Sequence, residues 1–229
     1  MPDEPENLTV QANDKESVTA LLYPADKKNR AGVTVVLGHG AGAGQTSGFM
    51  RMFAKGLAER GLDVMTFNFV YMEQGRSVPD QKHKLEGCFR AVIEAALKHK
   101  KLKNNRVVIG GKSMGGRIAS QVASQGVEGV SGLVFLGYPL HPPGKPEQRR
   151  DAHLPALGQP MLFVQGTRDV FGTADEIRQL LPNLQHATLH EIQNGDHSFR
   201  ISGRGAPKPD EVLSGILNVV RNFVLGAAS

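Results

Sequence analysis

The sequence predicts a three-layer α/β fold, in which helices flank a mostly parallel central sheet. Short, continuous apolar runs, typical of strands buried on both faces, alternate along the chain with amphipathic helical patterns. Such alternation indicates βαβ units. The predicted strands are Val33–Leu37, Val64–Phe69, Val107–Ile109, Gly132–Leu136, Met161–Val164 and Ala187–Ile192.

Apolar residues spaced three and four apart predict the intervening helices. These are Phe49–Arg60, Lys84–Lys98, Ile118–Ser124, Asp175–Leu181 and Pro209–Leu225. The N-terminal segment predicts an antiparallel edge hairpin with Ser17–Leu22 as one strand. Only the short loop His141–Pro155 separates the fourth and fifth predicted strands, so we expect no cap domain there. We expect residues 1–229 to form one domain.

Composition and charge argue against several classes of partner. The 229 residues are 40% hydrophobic and 21% charged, with a net charge of +5, which is ordinary for a globular chain. The densest basic run, Lys98–Lys103, is interpreted as a solvated helix end, and the chain has no Trp to stack on bases. We therefore expect no nucleic-acid partner.

The single cysteine, Cys88, permits no disulfide within the chain and no thiolate metal site, and its helical spacing predicts a core thiol. The opening MPDEPENLTV has no basic region followed by an apolar run, so we expect no signal peptide. No apolar stretch approaches the roughly 20 residues that a membrane span requires. The expectation is a cytoplasmic protein with no membrane partner and no metal or organic cofactor. The sequence leaves the oligomeric state open.

The stretch GGKSMGG, residues 110–116, fits two chemistries. A phosphate-binding loop ends in Gly-Lys-Ser but needs a glycine five residues before its second glycine, and Arg106 stands there. A nucleophile elbow, Gly-x-Ser-x-Gly, needs only a strand before it and a helix after it. Both are predicted here, so we expect Ser113 to be a nucleophile and the amide of Met114 to bind an oxyanion.

A second glycine-rich stretch, GHGAGAG at residues 38–44, follows the first parallel strand. A dinucleotide site would require an acidic residue at the end of the next strand, and that strand ends in Asn68, Phe69 and Val70. The alternative is a loop whose backbone amide completes an oxyanion hole. We favour Ala41 as that donor, with Gly42 next, and expect His39 to brace the loop by hydrogen bonds.

A serine nucleophile needs a base, and the base needs an acid to orient it. Asp169 follows the predicted strand Met161–Val164, and His197 follows the strand Ala187–Ile192, which gives the order Ser, Asp, His. Asp196 is an alternative acid, but as the neighbour of His197 it should point elsewhere. Asp175 is expected at a helix N-terminus.

Four residues near these motifs are predicted to contact substrate: Gly40, Gly42, Lys112 and His141. Lys112, Arg168 and Arg200 offer a bias toward anionic substrates, although solvated surface charge is the favoured interpretation. His186 and His190 do not fit a zinc motif, since their segment is His-Ala-Thr-Leu-His on a predicted strand. We predict no metal site.

From GHGAGAG through GGKSMGG and GTRD to GDHSF, nearly the whole chain resembles the α/β-hydrolase superfamily. FNFVYMEQGRSVPD and GYPLHPPGKP are similar to compact, lidless bacterial members near the dienelactone-hydrolase-like branch. Dienelactone hydrolases use a cysteine nucleophile, whereas the position here is Ser113. The resemblance implies an α/β-hydrolase fold with Ser113, Asp169 and His197 as nucleophile, acid and base, and Ala41 and Met114 as oxyanion donors.

These observations predict a serine ester hydrolase that acts through an acyl-enzyme on a small-molecule ester. An open, lidless site favours short acyl chains. Two alternatives stay open: acyl transfer to an acceptor other than water, which uses the same residues, and a non-catalytic interaction module on the same fold. A module has no need of all three catalytic residues.

Overall fold

An eight-stranded sheet forms the middle layer of the computed structural model, which describes residues 4–226. The strands are β1 (Glu6–Asn13), β2 (Glu16–Tyr23), β3 (Val33–Gly38), β4 (Asp63–Phe67), β5 (Arg106–Lys112), β6 (Val130–Leu136), β7 (Met161–Gly166) and β8 (Ala187–Ile192). Their order across the sheet is β1-β2-β4-β3-β5-β6-β7-β8. The pairings β1–β2 and β2–β4 are antiparallel. The remaining pairings, β4–β3, β3–β5, β5–β6, β6–β7 and β7–β8, are parallel.

Helices cover both faces of the sheet. They are α1 (Gly48–Glu59), the short α2 (Val70–Glu73), α3 (Lys82–Lys98), α4 (Met114–Ser124), α5 (Ala174–Leu180) and α6 (Pro209–Gly226), with 3₁₀ turns at Leu154–Ala156 and Leu181–Asn183. Apolar side chains of α1 and α6 pack on one face, and those of α2, α3, α4 and α5 pack on the other. Successive residues of β3 divide between the two cores, with Val35 in one and Val36 in the other.

This architecture confirms the predicted three-layer α/β fold and the edge hairpin. No cap domain interrupts it, since the segment between β6 and β7 holds only loop and the turn Leu154–Ala156. The ends of the predicted 1–229 span, residues 1–3 and 227–229, lie outside the described residues. In the part of the chain that the structure covers, no helix is long and apolar enough to cross a membrane.

Several predicted boundaries differ from the structure, and two of these differences lie next to the glycine-rich motifs. The strand predicted to reach Phe69 ends at Phe67, because the Asn68 side chain binds the Gln45 amide and the Phe69 amide donates to His39. Helix α4 begins at Met114, four residues before the predicted start. The glycines of GGKSMGG have low helix propensity, but they permit close packing of α4 against the sheet, and the packing outweighs that low propensity.

Cys88 lies in the core, as its spacing predicted. Burial raises the pKa of its thiol to about 12, so the side chain behaves as an apolar group at neutral pH. Its sulfur packs near the Asn68 carbonyl, where β4 gives way to α2.

The contact of α4 with β3 is made backbone to backbone at Gly115, where a Cβ would overlap the Gly38 carbonyl. We predict that Gly115→Ala lowers the free energy of unfolding by about 2–3 kcal/mol, because neither backbone segment can yield. Gly215→Ala in α6 is the matched control, since its Cβ would meet no atom within 4 Å. The control should raise the free energy of unfolding by about 1 kcal/mol. Urea unfolding followed by circular dichroism measures both, and equal effects of the two changes would contradict this account.

Candidate active site

Ser113 lies on a strained turn between β5 and α4. Its φ of +51° with ψ of −116° is unusual for a residue with a side chain. Gly111, two residues before Ser113, has a φ of +153°, and a Cβ there would overlap the Gly38 carbonyl. The Ser113 amide donates to the Leu136 carbonyl at 3.1 Å, which anchors the turn to β6. The strand, turn and helix therefore form the context that the Gly-x-Ser-x-Gly pattern predicted.

A chain of hydrogen bonds joins Ser113, His197 and Asp169. His197 Nε2 lies 2.9 Å from Ser113 Oγ, and His197 Nδ1 lies 2.7 Å from Asp169 Oδ2. Because the Asp169 carboxylate accepts, we assign the imidazole proton to Nδ1, which leaves Nε2 free to accept from the serine hydroxyl. Asp169 is 1% exposed, whereas His197 is partly open to the cavity.

Asp169, and not Asp196, lies against His197. Asp169 follows the end of β7, and its Oδ1 accepts from the Phe171 amide at 2.8 Å. Asp196 Oδ1 instead accepts from the amides of Ser198 and Arg200, which shapes the turn that carries His197. Of the two acidic residues considered in the sequence, Asp169 therefore contacts the His197 ring, and Asp196 binds backbone amides instead.

The side chain of Gln165, a residue that the sequence patterns did not indicate, hydrogen-bonds to the Asp169 carboxylate. Its Nε2 donates to Asp169 Oδ2 at 2.9 Å and to the Gly172 carbonyl at 2.6 Å, and its Oε1 accepts from the Tyr138 amide at 2.8 Å. The side chain is fully buried. A glutamine inside an otherwise apolar strand was the signal available in the sequence, because a buried amide needs such partners.

His39 braces the glycine-rich loop after β3, as expected. Its Nε2 accepts from the Phe69 amide at 3.1 Å, so its Nδ1 carries the proton and donates to the Gly40 carbonyl at 2.7 Å. Burial lowers the pKa of His39 to about 4, so the ring is neutral at pH 7. Tyr71, a second residue that the sequence did not indicate, donates its hydroxyl to the Ala41 carbonyl at 2.9 Å.

This bracing places the loop beside the serine. A Cβ on Gly40 would lie 3.7 Å from Ser113 Cβ. The loop residues Gly40, Ala41 and Gly42 border the same cavity as Ser113 and Met114. Met114 is the first residue of α4, so its amide has no acceptor within the helix.

Lys112 is buried, and the interpretation of its charge as solvated was wrong. Only 9% of the residue is exposed; its amine donates to the His197 carbonyl and lies 5.5 Å from the ring centroids of Phe49 and Phe199. Burial lowers the pKa of Lys112 to about 8, against the opposing effect of Asp169 and Asp196. The residue borders the cavity, but its amine is directed at the loop that carries His197.

The placement of His141 also differs from the expectation of a substrate contact. Its Nε2 lies 3.1 Å from Glu176 Oε1 and its Nδ1 lies 2.8 Å from the Pro142 carbonyl. It does not border the cavity, because the loop after β6 turns its ring toward α5. Arg168 and Arg200 are exposed and also lie outside the cavity lining.

The cavity at Ser113 has a volume of about 630 Å³ and is open to solvent. The GHGAGAG loop, the start of α4 and the His197 turn border it, together with the aromatic rings of Phe49 and Phe171. Within residues 4–226, no group of three or more His, Cys, Asp or Glu side chains is arranged to hold a metal ion. The site therefore presents a serine, an imidazole and backbone amides to a bound molecule.

The fold and this site define a class of protein, and comparison with known families agrees. Residues 31–225 match the family model described as an alpha/beta hydrolase domain, so the chain belongs to the α/β-hydrolase family. This confirms the resemblance recognised in the sequence.

Solved structures of the same fold include one described as a serine hydrolase without a lid. The α/β serine hydrolase without lid XC6422 of Xanthomonas campestris is 19% identical, with a TM-score of 0.73 over 98% of this chain and 95% of that one. A dienelactone hydrolase of Anabaena variabilis is 17% identical, with a TM-score of 0.76 over 98% and 99% of the two chains. Est1E of Butyrivibrio proteoclasticus is 14% identical, with a TM-score of 0.74 over 97% and 98%. At these identities the likeness shows the fold.

The buried, neutral His39 should make stability depend on pH. Above its ordinary pKa of 6.5 the ring is neutral in both the folded and unfolded states; between 6.5 and about 4 only the unfolded chain takes up the proton. The free energy of unfolding should therefore fall by up to about 3 kcal/mol as the pH is lowered through this window.

We predict that His39→Gln loses this dependence. The difference in unfolding free energy between wild type and His39→Gln should shrink by about 2–3 kcal/mol between pH 7 and pH 4.5, as measured by urea unfolding. His83→Gln, at an exposed position of α3, is the control and should show a constant difference. A constant difference for His39→Gln as well would refute the assignment of a neutral, doubly hydrogen-bonded ring.

Proposed function

We propose that this α/β hydrolase is a serine carboxylic ester hydrolase acting on small-molecule esters. The observation that carries the proposal is the hydrogen-bonded chain from Ser113 Oγ through His197 to the buried carboxylate of Asp169, beside an open cavity. A serine hydroxyl at its ordinary pKa is a weak nucleophile, and this arrangement supplies the base that activates it.

In the proposed acylation step, His197 Nε2 takes the hydroxyl proton while Ser113 Oγ attacks the acyl carbon. Asp169 stabilises the resulting imidazolium and keeps its ring in orientation, with Gln165 holding the carboxylate. His197 then gives the proton to the leaving alcohol, and the acyl group stays on Ser113.

The negative charge that develops on the carbonyl oxygen would be bound by the amides of Ala41 and Met114. The position of Met114 at the N-terminus of α4 supports its role, because the helix dipole adds to the amide. The hydrogen bond from the Tyr71 hydroxyl to the Ala41 carbonyl supports the role of the Ala41 amide, because this bond orients the loop before substrate binds. Each such donor typically raises kcat by a factor of about 10²–10³.

Deacylation repeats the same steps with water in place of the alcohol. His197 takes a proton from the water, which attacks the acyl carbon, and then returns the proton to Ser113. The absence of a cap domain leaves the cavity open to water and to short acyl groups. We therefore propose short-chain acyl esters as substrates.

Hydrolysis of p-nitrophenyl acetate tests this proposal. The wild type should release nitrophenolate with kcat at least about 10³-fold above that of Ser113→Ala, because the mutant keeps only binding and the oxyanion donors. Ser124→Ala, at the far end of α4, is the matched control and should retain the wild-type rate. Equal rates in the wild type and Ser113→Ala, with both proteins folded by circular dichroism, would refute the proposed nucleophile.

A further inference from the structure

Basic residues dominate the charge around the cavity at Ser113. Among the described residues that border it, four are basic and one is acidic: Lys82, Lys112, Arg117, Arg150 and Asp80. The acid is already occupied, since Asp80 accepts from the Tyr71 amide at 2.9 Å and forms an ion pair with Arg76 at 2.6 Å. Lys82 lies 3.6 Å from Glu86, and the Lys112 amine donates to the His197 carbonyl.

Arg117 and Arg150 are left without an ion-pair partner among residues 4–226. Arg117 lies in the first turn of α4, and its amide donates to the Ser113 carbonyl at 3.1 Å, so the two residues are one turn apart. Its Nε is buried and has no hydrogen-bond acceptor. Burial and the neighbouring charge of Arg150 both lower the pKa of Arg117. Glu86 favours its charged form but is itself close to Lys82.

Arg150 is held in place from the backbone. Its amide donates to the Leu140 carbonyl at 2.9 Å, and its carbonyl accepts from the Tyr138 hydroxyl at 2.8 Å. Tyr138 is fully buried, so this part of the loop between β6 and β7 is anchored to the core. Arg150 borders the cavity, whereas its neighbour Arg149 is exposed and pairs with Asp151.

Two like charges at the wall of one cavity repel each other, and neither Arg117 nor Arg150 has a counter-ion among residues 4–226. A carboxylate or phosphate group would neutralise this pair, because its oxygens accept from two guanidinium groups at once. The cavity offers such a group a place one helical turn from Ser113.

We propose that Arg117 and Arg150 bind an anionic group of the substrate, so that the enzyme acts on esters that carry a carboxylate or a phosphate besides the scissile bond. This assignment rests on the proposed ester hydrolysis at Ser113, which it extends from short acyl esters to a charged class.

Matched ester pairs test the preference. One pair carries the charge on the acyl side: mono-p-nitrophenyl glutarate against its neutral methyl ester. A second pair carries it on the alcohol: 4-acetoxybenzoate against its methyl ester. We expect kcat/KM to favour the anionic member at least about tenfold in one of the pairs, as one good charged contact in the transition state would give. Arg117→Met and Arg150→Met should each bring that ratio toward one, while Lys145→Met, an exposed charge removed from the same loop, should keep it.

Binding without turnover separates this proposal from the proposed reaction. Calorimetric titration of Ser113→Ala with 4-acetoxybenzoate and phenyl phosphate should show binding of at least one of them, and its Kd should rise about tenfold or more when Arg117→Met is added. The tighter of the two identifies the preferred anion. The neutral methyl ester should bind more weakly than the tighter-binding anion. Absence of anion binding to Ser113→Ala, or a charge preference that survives both arginine changes, would overturn the assignment even if the wild type hydrolyses neutral esters.

Discussion

The backbone contact between the end of β3 and the elbow after β5 is the constraint on which the site depends. The Gly38 carbonyl packs against both Gly111 and Gly115, at a distance that admits no Cβ on either residue. This contact fixes the turn that presents Ser113, and it also places the GHGAGAG loop beside that turn. Ser113 and the GHGAGAG loop therefore follow two neighbouring parallel strands, β5 and β3, whose spacing determines their separation.

The positions of Asp169 and His197 depend on a second set of contacts, at the same edge of the sheet. Hydrogen bonds of the Gln165 side chain link Asp169 to Tyr138, at the start of the loop after β6, and to Gly172, just before α5. Lys112 joins this set from the elbow through the His197 carbonyl. Lys112, between Gly111 and Ser113, thus ties β5 to the turn that carries His197. Asp169 and Asp196 partly offset the cost of burying the Lys112 charge.

Sequence patterns predicted the fold well because its strands are buried on both faces and its helices are amphipathic, which are local signals. They failed where a distant contact decides the outcome. The apolar run from Val64 continues into Phe69, but hydrogen bonds of Asn68 to Gln45 and of Phe69 to His39 end the strand early. Likewise, the burial of Lys112 requires Phe49 and Phe199, which are remote from it in the chain.

The candidate site also combines residues that sequence motifs predicted with residues whose positions depend on distant contacts. Ser113, Asp169 and His197 stand in motifs at strand ends, so topology alone brings them to one edge of the sheet. Arg117 lies one residue before the predicted helix Ile118–Ser124, so its place one turn from Ser113 was not predicted. Nothing local to Arg150 indicates that its loop returns to the cavity. The direction of His141 was equally unreadable, because it depends on the position of Glu176 in α5.

The central claim is that Ser113 is an activated nucleophile facing two oxyanion donors. The most direct measurement is a crystal structure of the protein after reaction with a small fluorophosphonate. This account predicts a phosphorus bonded to Ser113 Oγ, with its phosphoryl oxygen within about 3 Å of the amide nitrogens of Ala41 and Met114. An adduct on another residue, or a phosphoryl oxygen turned away from both amides, would contradict it.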